Sequence, residues 1–245
     1  MKTTGKSIDI FGDSFSDPES RSDNSDTWLD ILENNYKFKL KNFSFHGVGS
    51  QWCIEKLMGI DEYGDFLLFL SPDMNRITFD YLDDDESAMG RMIYNIMDQN
   101  TMKKILPDKL IDMSDRIYKD YKSFYTSGLY RILEILFASF VFSKCKKYNK
   151  ILIWPSSGLG FPFRHYSKTL EIPLNCHIVS ECLNFISQRE FKNTNSAAIP
   201  SLTTYPDKRN NHLSYENHVI LAKQIDDYFS NNVEPNFRKF KKEII

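Results

Sequence analysis

The run Phe66-Leu67-Leu68-Phe69-Leu70 is apolar at every position and closes at Ser71-Pro72. A strand that faces water on one side alternates in polarity; one with no polar position suits burial on both faces, as in the centre of a parallel sheet. This segment therefore asks for helices above and below a sheet. Four more strand candidates fit that demand. Residues 7–11 carry Ile8 and Ile10 and stop at Gly12, and 38–45 alternates Phe and Leu with Lys, Asn and Ser. Residues 151–154 read Ile-Leu-Ile-Trp before Pro155, and a weaker strand over 176–179 follows Pro173. Helical patterns lie between them. Strand–helix alternation of this kind predicts a three-layer α/β/α sandwich with a mostly parallel, flavodoxin-like five-stranded sheet.

The helical expectations are less uniform. Asp26 to Leu32 reads as a short helix with Asp26 as N-cap. Ser127 to Tyr148 has apolar residues at helical spacing and lysines in its last turns, where they suit the helix dipole. The final helix is expected from Ser214, a good N-cap, to about Phe229, with Val219, Ile220, Ala222, Ile225 and Phe229 on one apolar side. Residues 77–148 read as helical, so 77–125 is expected to form a helical insertion capping the sheet. The acidic run Asp83-Asp84-Asp85-Glu86 lacks the spaced ligands and turn glycine of a calcium loop and reads as solvated. The 245 residues suit one domain spanning 1–245, whose core can bury roughly 70% of the unfolded chain's surface.

Composition narrows the function classes. Charged residues make up 26% and the net charge is −2, so no nucleic-acid partner is expected. The segment MKTTGKSIDIFGDS is too polar for a signal peptide, and no apolar stretch reaches the roughly 18 residues of a membrane span. These features predict a soluble, cytoplasmic protein without a membrane span. Cys53, Cys145, Cys176 and Cys182 show neither C-x-x-C spacing nor a zinc-finger histidine, which predicts reduced, mostly buried thiols. No metal and no cofactor is expected.

In doubly wound sheets, reactive groups collect beyond the carboxyl ends of the strands. Three of the strong strands end here in Gly12-Asp13-Ser14, Gly47-Val48-Gly49 and Ser71-Pro72-Asp73-Met74-Asn75. Loops of neighbouring parallel strands lie side by side, so a hydroxyl, a glycine amide and a side-chain amide can meet. Those are the parts of acyl transfer: a nucleophile, and N–H donors for the oxyanion.

Gly12-Asp13-Ser14-Phe15-Ser16-Asp17 resembles the first block of the SGNH/GDSL hydrolase superfamily, near the N-terminus and directly after a strand. Asn42-Phe43-Ser44-Phe45-His46-Gly47 is similar to its second block, Asn-x-Gly-x-x-Gly, with Ser44 in place of the first glycine. His212-Leu213-Ser214, leading into the C-terminal helix with Asn217 and His218, resembles the last block. The resemblance implies Ser14 as nucleophile, His212 as general base and the Gly47 amide as an oxyanion donor. The third block usually reads Gly-x-Asn-Asp; here strand register puts Asp73 at the asparagine position, so Asn75 is the candidate second donor and Arg76 a substrate-binding cation. The family's acid usually lies three residues before the histidine, where Arg209 stands; Asp207 is the nearest carboxylate and the candidate acid. Asp13 is read as bracing its loop, His218 as structural and Trp154 as core, while His46 and His165 are loop residues without a role.

The resulting expectation is a serine esterase or deacylase acting on a small acyl ester or acetylated carbohydrate through an acyl-enzyme. The aromatic segment Phe161 to Tyr166 is a candidate entrance lining, or an ordinary surface loop. The alternative is a non-catalytic module of the same superfamily, binding or structural, such as a phage virion or accessory protein. A nucleotide-binding flavodoxin-like protein fits less well, because no Gly-rich phosphate fingerprint follows the first strand.

Overall fold

The computed structural model describes residues 6–18, 20, 25–72, 76–82, 89–95, 129–156, 170–190 and 210–242, with isolated positions at 116, 119, 120 and 123. Five strands, β1 (Ser7–Phe11), β2 (Lys39–Asn42), β3 (Phe66–Ser71), β6 (Lys150–Pro155) and β7 (Cys176–Ile178), form one sheet in the order β2-β1-β3-β6-β7. Every pairing in it is parallel. Numbered among themselves, the strands run 2-1-3-4-5, the flavodoxin-like order. The apolar run that demanded two covers is the middle strand, and all six residues of β3 are buried.

The covers divide by strand parity. Ile8, Ile10, Phe66, Leu68, Leu70, Leu152 and Trp154 face one way, packing on α1 (Trp28–Asn34), α4 (Leu183–Arg189) and α5 (Tyr215–Asn231). Phe11, Leu67, Phe69, Ile151 and Ile153 face the other way, onto α2 (Ser50–Met58) and α3 (Leu129–Cys145). Fully burying one such side chain contributes about 1.5–3 kcal/mol, which offsets the entropy lost in ordering the layers. Among the described residues, no helix is long and apolar enough to cross a membrane.

Local chemistry moves several expected boundaries. The N-cap of α1 is Thr27 rather than Asp26: the Thr27 N–H and hydroxyl both donate to the Asp30 carboxylate, at 2.8 and 2.7 Å. A carboxylate at the third helical position makes this capping pair with the residue directly before the helix, not with the one before that. β2 stops at Asn42, short of 45, because Asn42 Oδ1 accepts the Ser44 N–H at 3.0 Å and turns the chain. At the other end of the chain, Ser214 caps α5 as expected, accepting the Asn217 N–H at 3.4 Å. Val219 is exposed instead of core; Leu221, Ala222, Ile225 and Phe229 carry the buried face.

The largest correction falls in the middle of the chain. The helical insertion expected over 77–125 begins instead as an antiparallel hairpin, β4 (Arg76–Leu82) with β5 (Met89–Asn95). Ile77, Phe79 and Tyr81 alternate with Arg76, Thr78 and Asp80, a period of two rich in β-branched and aromatic residues. The acidic run 83–86 and the aromatic segment 161–166 lie outside the described residues. Of the rest of that stretch, positions 116, 119, 120 and 123 are helical.

Candidate functional site

Nine of the ten residues from Ile8 to Asp17 are buried, and Ser14 alone is half-exposed. The reason lies in the turn that follows β1. Asp13 C=O accepts the N–H groups of Ser16 and Asp17, at 2.9 and 3.0 Å, which curls the chain and leaves the Ser14 side chain at its outer rim. Gly12 makes the curl feasible, since a Cβ there would sit 2.9 Å from the Leu70 Cβ on the neighbouring strand and collide with the Ser16 hydroxyl. The Asp13 carboxylate braces the turn as expected. Its Oδ2 accepts the Ser156 hydroxyl at 2.9 Å, beyond β6, and its Oδ1 the Phe15 N–H at 3.3 Å. Trp28 Nε1 donates to Phe15 C=O at 2.8 Å, tying α1 to the same turn.

His212 repeats the pattern. It is half-exposed between buried neighbours Asn210, Asn211, Leu213 and Ser214. Its Nε2 lies 2.9 Å from Ser14 Oγ, although the two residues are 198 positions apart. The ring also packs against Phe15, centroids 5.2 Å apart and tilted by 54°.

Two successive left-handed residues, Asn211 (φ 44°) and His212 (φ 62°), turn the chain sharply enough to aim the imidazole back at the serine. Asparagine is among the few side chains that tolerate that conformation. Asn211 is fully buried, and its Nδ2 donates to Ser14 C=O at 2.9 Å and Asp17 C=O at 3.0 Å. Both acceptors are carbonyl oxygens, which fixes the orientation of the amide. Asn211 therefore holds the His212 loop to the Ser14 turn directly. His218 is structural, as expected: it is buried in α5 and its Nε2 bonds Asn210 C=O at 2.9 Å.

The loop after β2 is stitched to the same turn. Asn42 Nδ2 donates to Ser16 C=O at 2.7 Å, and the Ser16 and Ser44 hydroxyls bond at 2.7 Å, so the serine in place of the resembled glycine has its own partner. His46, assigned no role from the sequence, donates its backbone N–H to the buried Asp17 carboxylate at 2.9 Å and places Nδ1 2.8 Å from the same oxygen. Gly47 follows at φ 73°, a left-handed conformation that glycine adopts without strain. Ser50 Oγ donates to Pro72 C=O at 3.0 Å, which draws the start of α2 to the end of β3. The turns after β1 and β2 and the end of β3 at Pro72 thus meet at one edge of the sheet.

Glu190, just past the end of α4, went unnoticed in the sequence. It is fully buried and takes the Ser214 N–H on both carboxylate oxygens, at 3.0 and 2.9 Å. It also accepts the Ser214 hydroxyl at 2.9 Å and Asn217 Nδ2. A carboxylate at a helix N-terminus is favoured by the unpaired amides and the dipole there. Asn217 in turn bonds the Lys241 backbone, accepting its N–H at 2.8 Å, so one cluster fixes the N-terminus of α5, two residues from His212, and the backbone at Lys241.

Of the other expected site residues, Asn75 and Asp207 lie outside the described residues, as do Asp73 and Arg209. Arg76 is the first residue of β4. Among the described residues no group of three His, Cys, Asp or Glu side chains gathers as a metal centre would. Cys53, Cys176 and Cys182 are free. Cys53 lies near the site, its Sγ 3.8 Å from Gly12 C=O, but burial pushes its thiol well up and the Asp13 charge adds to the rise. A thiol so disfavoured as thiolate is a poor nucleophile.

A scan against models of known protein families finds no match to this chain, and a search of the curated proteins finds no relative.

Proposed function

We propose that the chain is a serine hydrolase that cleaves a small acyl ester or an acetylated carbohydrate through an acyl-enzyme, in the manner of the SGNH/GDSL proteins it resembles. The observation that carries this reading is the 2.9 Å approach of His212 Nε2 to a half-exposed Ser14 Oγ at the carboxyl edge of a parallel sheet. A hydroxyl is a poor nucleophile unless a base takes its proton as it attacks. Ser14 Oγ adds to the ester carbonyl carbon while His212 Nε2 receives the proton. The tetrahedral adduct collapses, His212 returns that proton to the leaving alkoxide, and the acyl group stays on Ser14. Water, deprotonated by His212, then adds to the acyl carbon; collapse releases the acid and restores the Ser14 hydroxyl.

The Gly47 N–H and Asn75 are the proposed oxyanion donors, Arg76 the cation that meets substrate, and Asp207 the carboxylate that orients the imidazole. The stitching of the Gly47 loop to the Ser14 turn supports the first of these assignments.

A fluorophosphonate that esterifies activated serines tests the reading directly. Labelling at Ser14, lost in Ser14→Ala and strongly slowed in His212→Ala, is the expected result. Ser14→Ala should also lower turnover of short-chain p-nitrophenyl esters by roughly three orders of magnitude or more. A folded protein that takes no label and cleaves no ester would instead be a non-catalytic module built on the same fold.

A further inference from the structure

Far along the sheet from Ser14, beyond the carboxyl end of β7, an open cavity of about 610 Å³ includes neither Ser14 nor His212 in its lining. Its wall carries Arg189, from the end of α4, and Arg238 and Lys242, from the segment that follows α5. Three cations in one wall are unexpected in a chain whose net charge is −2. Two carboxylates share the lining but are turned to other partners: Glu234 lies 3.5 Å from His177 Nδ1, and Glu181 accepts the Ser180 hydroxyl. Among the described residues, none of the three cations is ion-paired with either.

The backbone that carries the cations is anchored. Arg189 lies over the Phe237 ring, 4.5 Å from its centroid. It directly precedes Glu190, which is locked to Ser214, and Lys242 directly follows Lys241, whose backbone is bonded to Asn217. Arg238 lies within the short 3₁₀ turn Phe237–Lys239, opened by Asn236, whose Oδ1 accepts the Arg238 N–H at 2.9 Å.

We propose that this cavity binds a small organic oxyanion, a carboxylate or phosphate borne on a sugar-sized body. Guanidinium groups pair with both oxyanions through two parallel hydrogen bonds, and three cations against two carboxylates leave the lining net positive, which favours an anion. The volume falls within the range of small-molecule sites and far exceeds the needs of a bare inorganic anion. Asn236 supplies a neutral polar group that would meet hydroxyls on the body. The site is independent of the hydrolase reading and stands whether or not Ser14 is catalytic.

Calorimetric titration of the full chain with glucuronate and with glucose 1-phosphate, against glucose at matched ionic strength, tests it. Saturable binding of at least one anion, with none of the neutral sugar, is expected. Arg238 and Lys242 are exposed, so the double variant Arg238→Gln/Lys242→Gln should fold and bind at least tenfold more weakly. Lys56→Gln, on α2 in the opposite layer, should bind as the wild type does. Absence of saturable binding by both anions overturns the proposal. So does undiminished binding in the double variant, which would place the anion elsewhere.

Discussion

Glu190→Gln probes the buried carboxylate at the root of the segment that ends in His212. In the native chain the two oxygens share the Ser214 N–H, and Oε1 also takes the Ser214 hydroxyl and Asn217 Nδ2. Glutamine preserves the volume and one acceptor oxygen. If that oxygen keeps the two side-chain donors, the new NH₂ faces the Ser214 N–H, donor against donor, at about 3 Å. A hydrogen bond to a charged acceptor is worth about 1.5–3 kcal/mol and a stranded buried donor costs about 1–3 kcal/mol. One such bond lost, with the others weakened by removal of the charge, gives about 2–4 kcal/mol in total. For a chain of this size each kcal/mol moves Tm by about 2–4 °C, so a fall on the order of 5–15 °C is expected. Differential scanning calorimetry measures it, and fluorophosphonate labelling well below both transitions reads whether His212 has shifted. Glu190→Asp, which retains the charge but shortens the reach, should fall between the two. A Tm for Glu190→Gln within about 2 °C of wild type, with labelling unchanged, would refute the assignment of Glu190 as the group that holds this segment.

Two further outcomes follow from buried groups. Asn211→Ala removes the hydrogen bonds to Ser14 C=O and Asp17 C=O and puts a less tolerant residue at φ 44°, so it should cost roughly 2–4 kcal/mol and slow labelling of Ser14. Asn211→Gly, free of the backbone strain, should recover part of the stability by thermal melting but none of the labelling rate. Asp9 is fully buried in β1 facing α2 and α3, and desolvation holds its pKa above the usual 3.8 despite hydrogen bonds from the Gly64 N–H and the Tyr148 hydroxyl. The folded chain thus keeps this proton where the unfolded chain releases it, and the stability it contributes is lost as pH rises from about 3.8 through the raised value. Denaturant titrations of Asp9→Asn against wild type should show the difference moving in the variant's favour as pH rises from about 4 to 7; a constant difference would mean Asp9 does not titrate in that window.

Much of the architecture was legible because it is written locally. A run with no polar position and strands ending in glycine or proline specify a covered parallel sheet wherever they occur. Ser214 three residues before Asn217 is a helix start on any scaffold. The hairpin over 76–95 was equally local, in the alternation of Ile77, Phe79 and Tyr81, and was obscured only by reading the long stretch after β3 as one unit. Ser14 and His212 could be picked out because each stands beside a signal of this kind, a strand end and a helix cap.

Their meeting was expected from the resemblance alone, not from any local pattern. A separation of 198 residues closes only when β1 and α5 pack in adjacent layers, and no periodicity reports which strand a helix will cover. The same holds for the groups that align them. Asn211 between the carbonyls of Ser14 and Asp17, His46 on Asp17, and Glu190 on Ser214 join segments 24 to 197 residues apart. In sequence, Glu190 is a charged residue at the end of a short helix, the usual place for a solvated side chain. Burial gives it a function, because a carboxylate removed from water must be surrounded by donors, and the N-terminus of α5 is where this fold presents them. Local propensity thus chose the elements, while the desolvation of a few polar side chains, known only once the layers close, decided how His212 is held against Ser14.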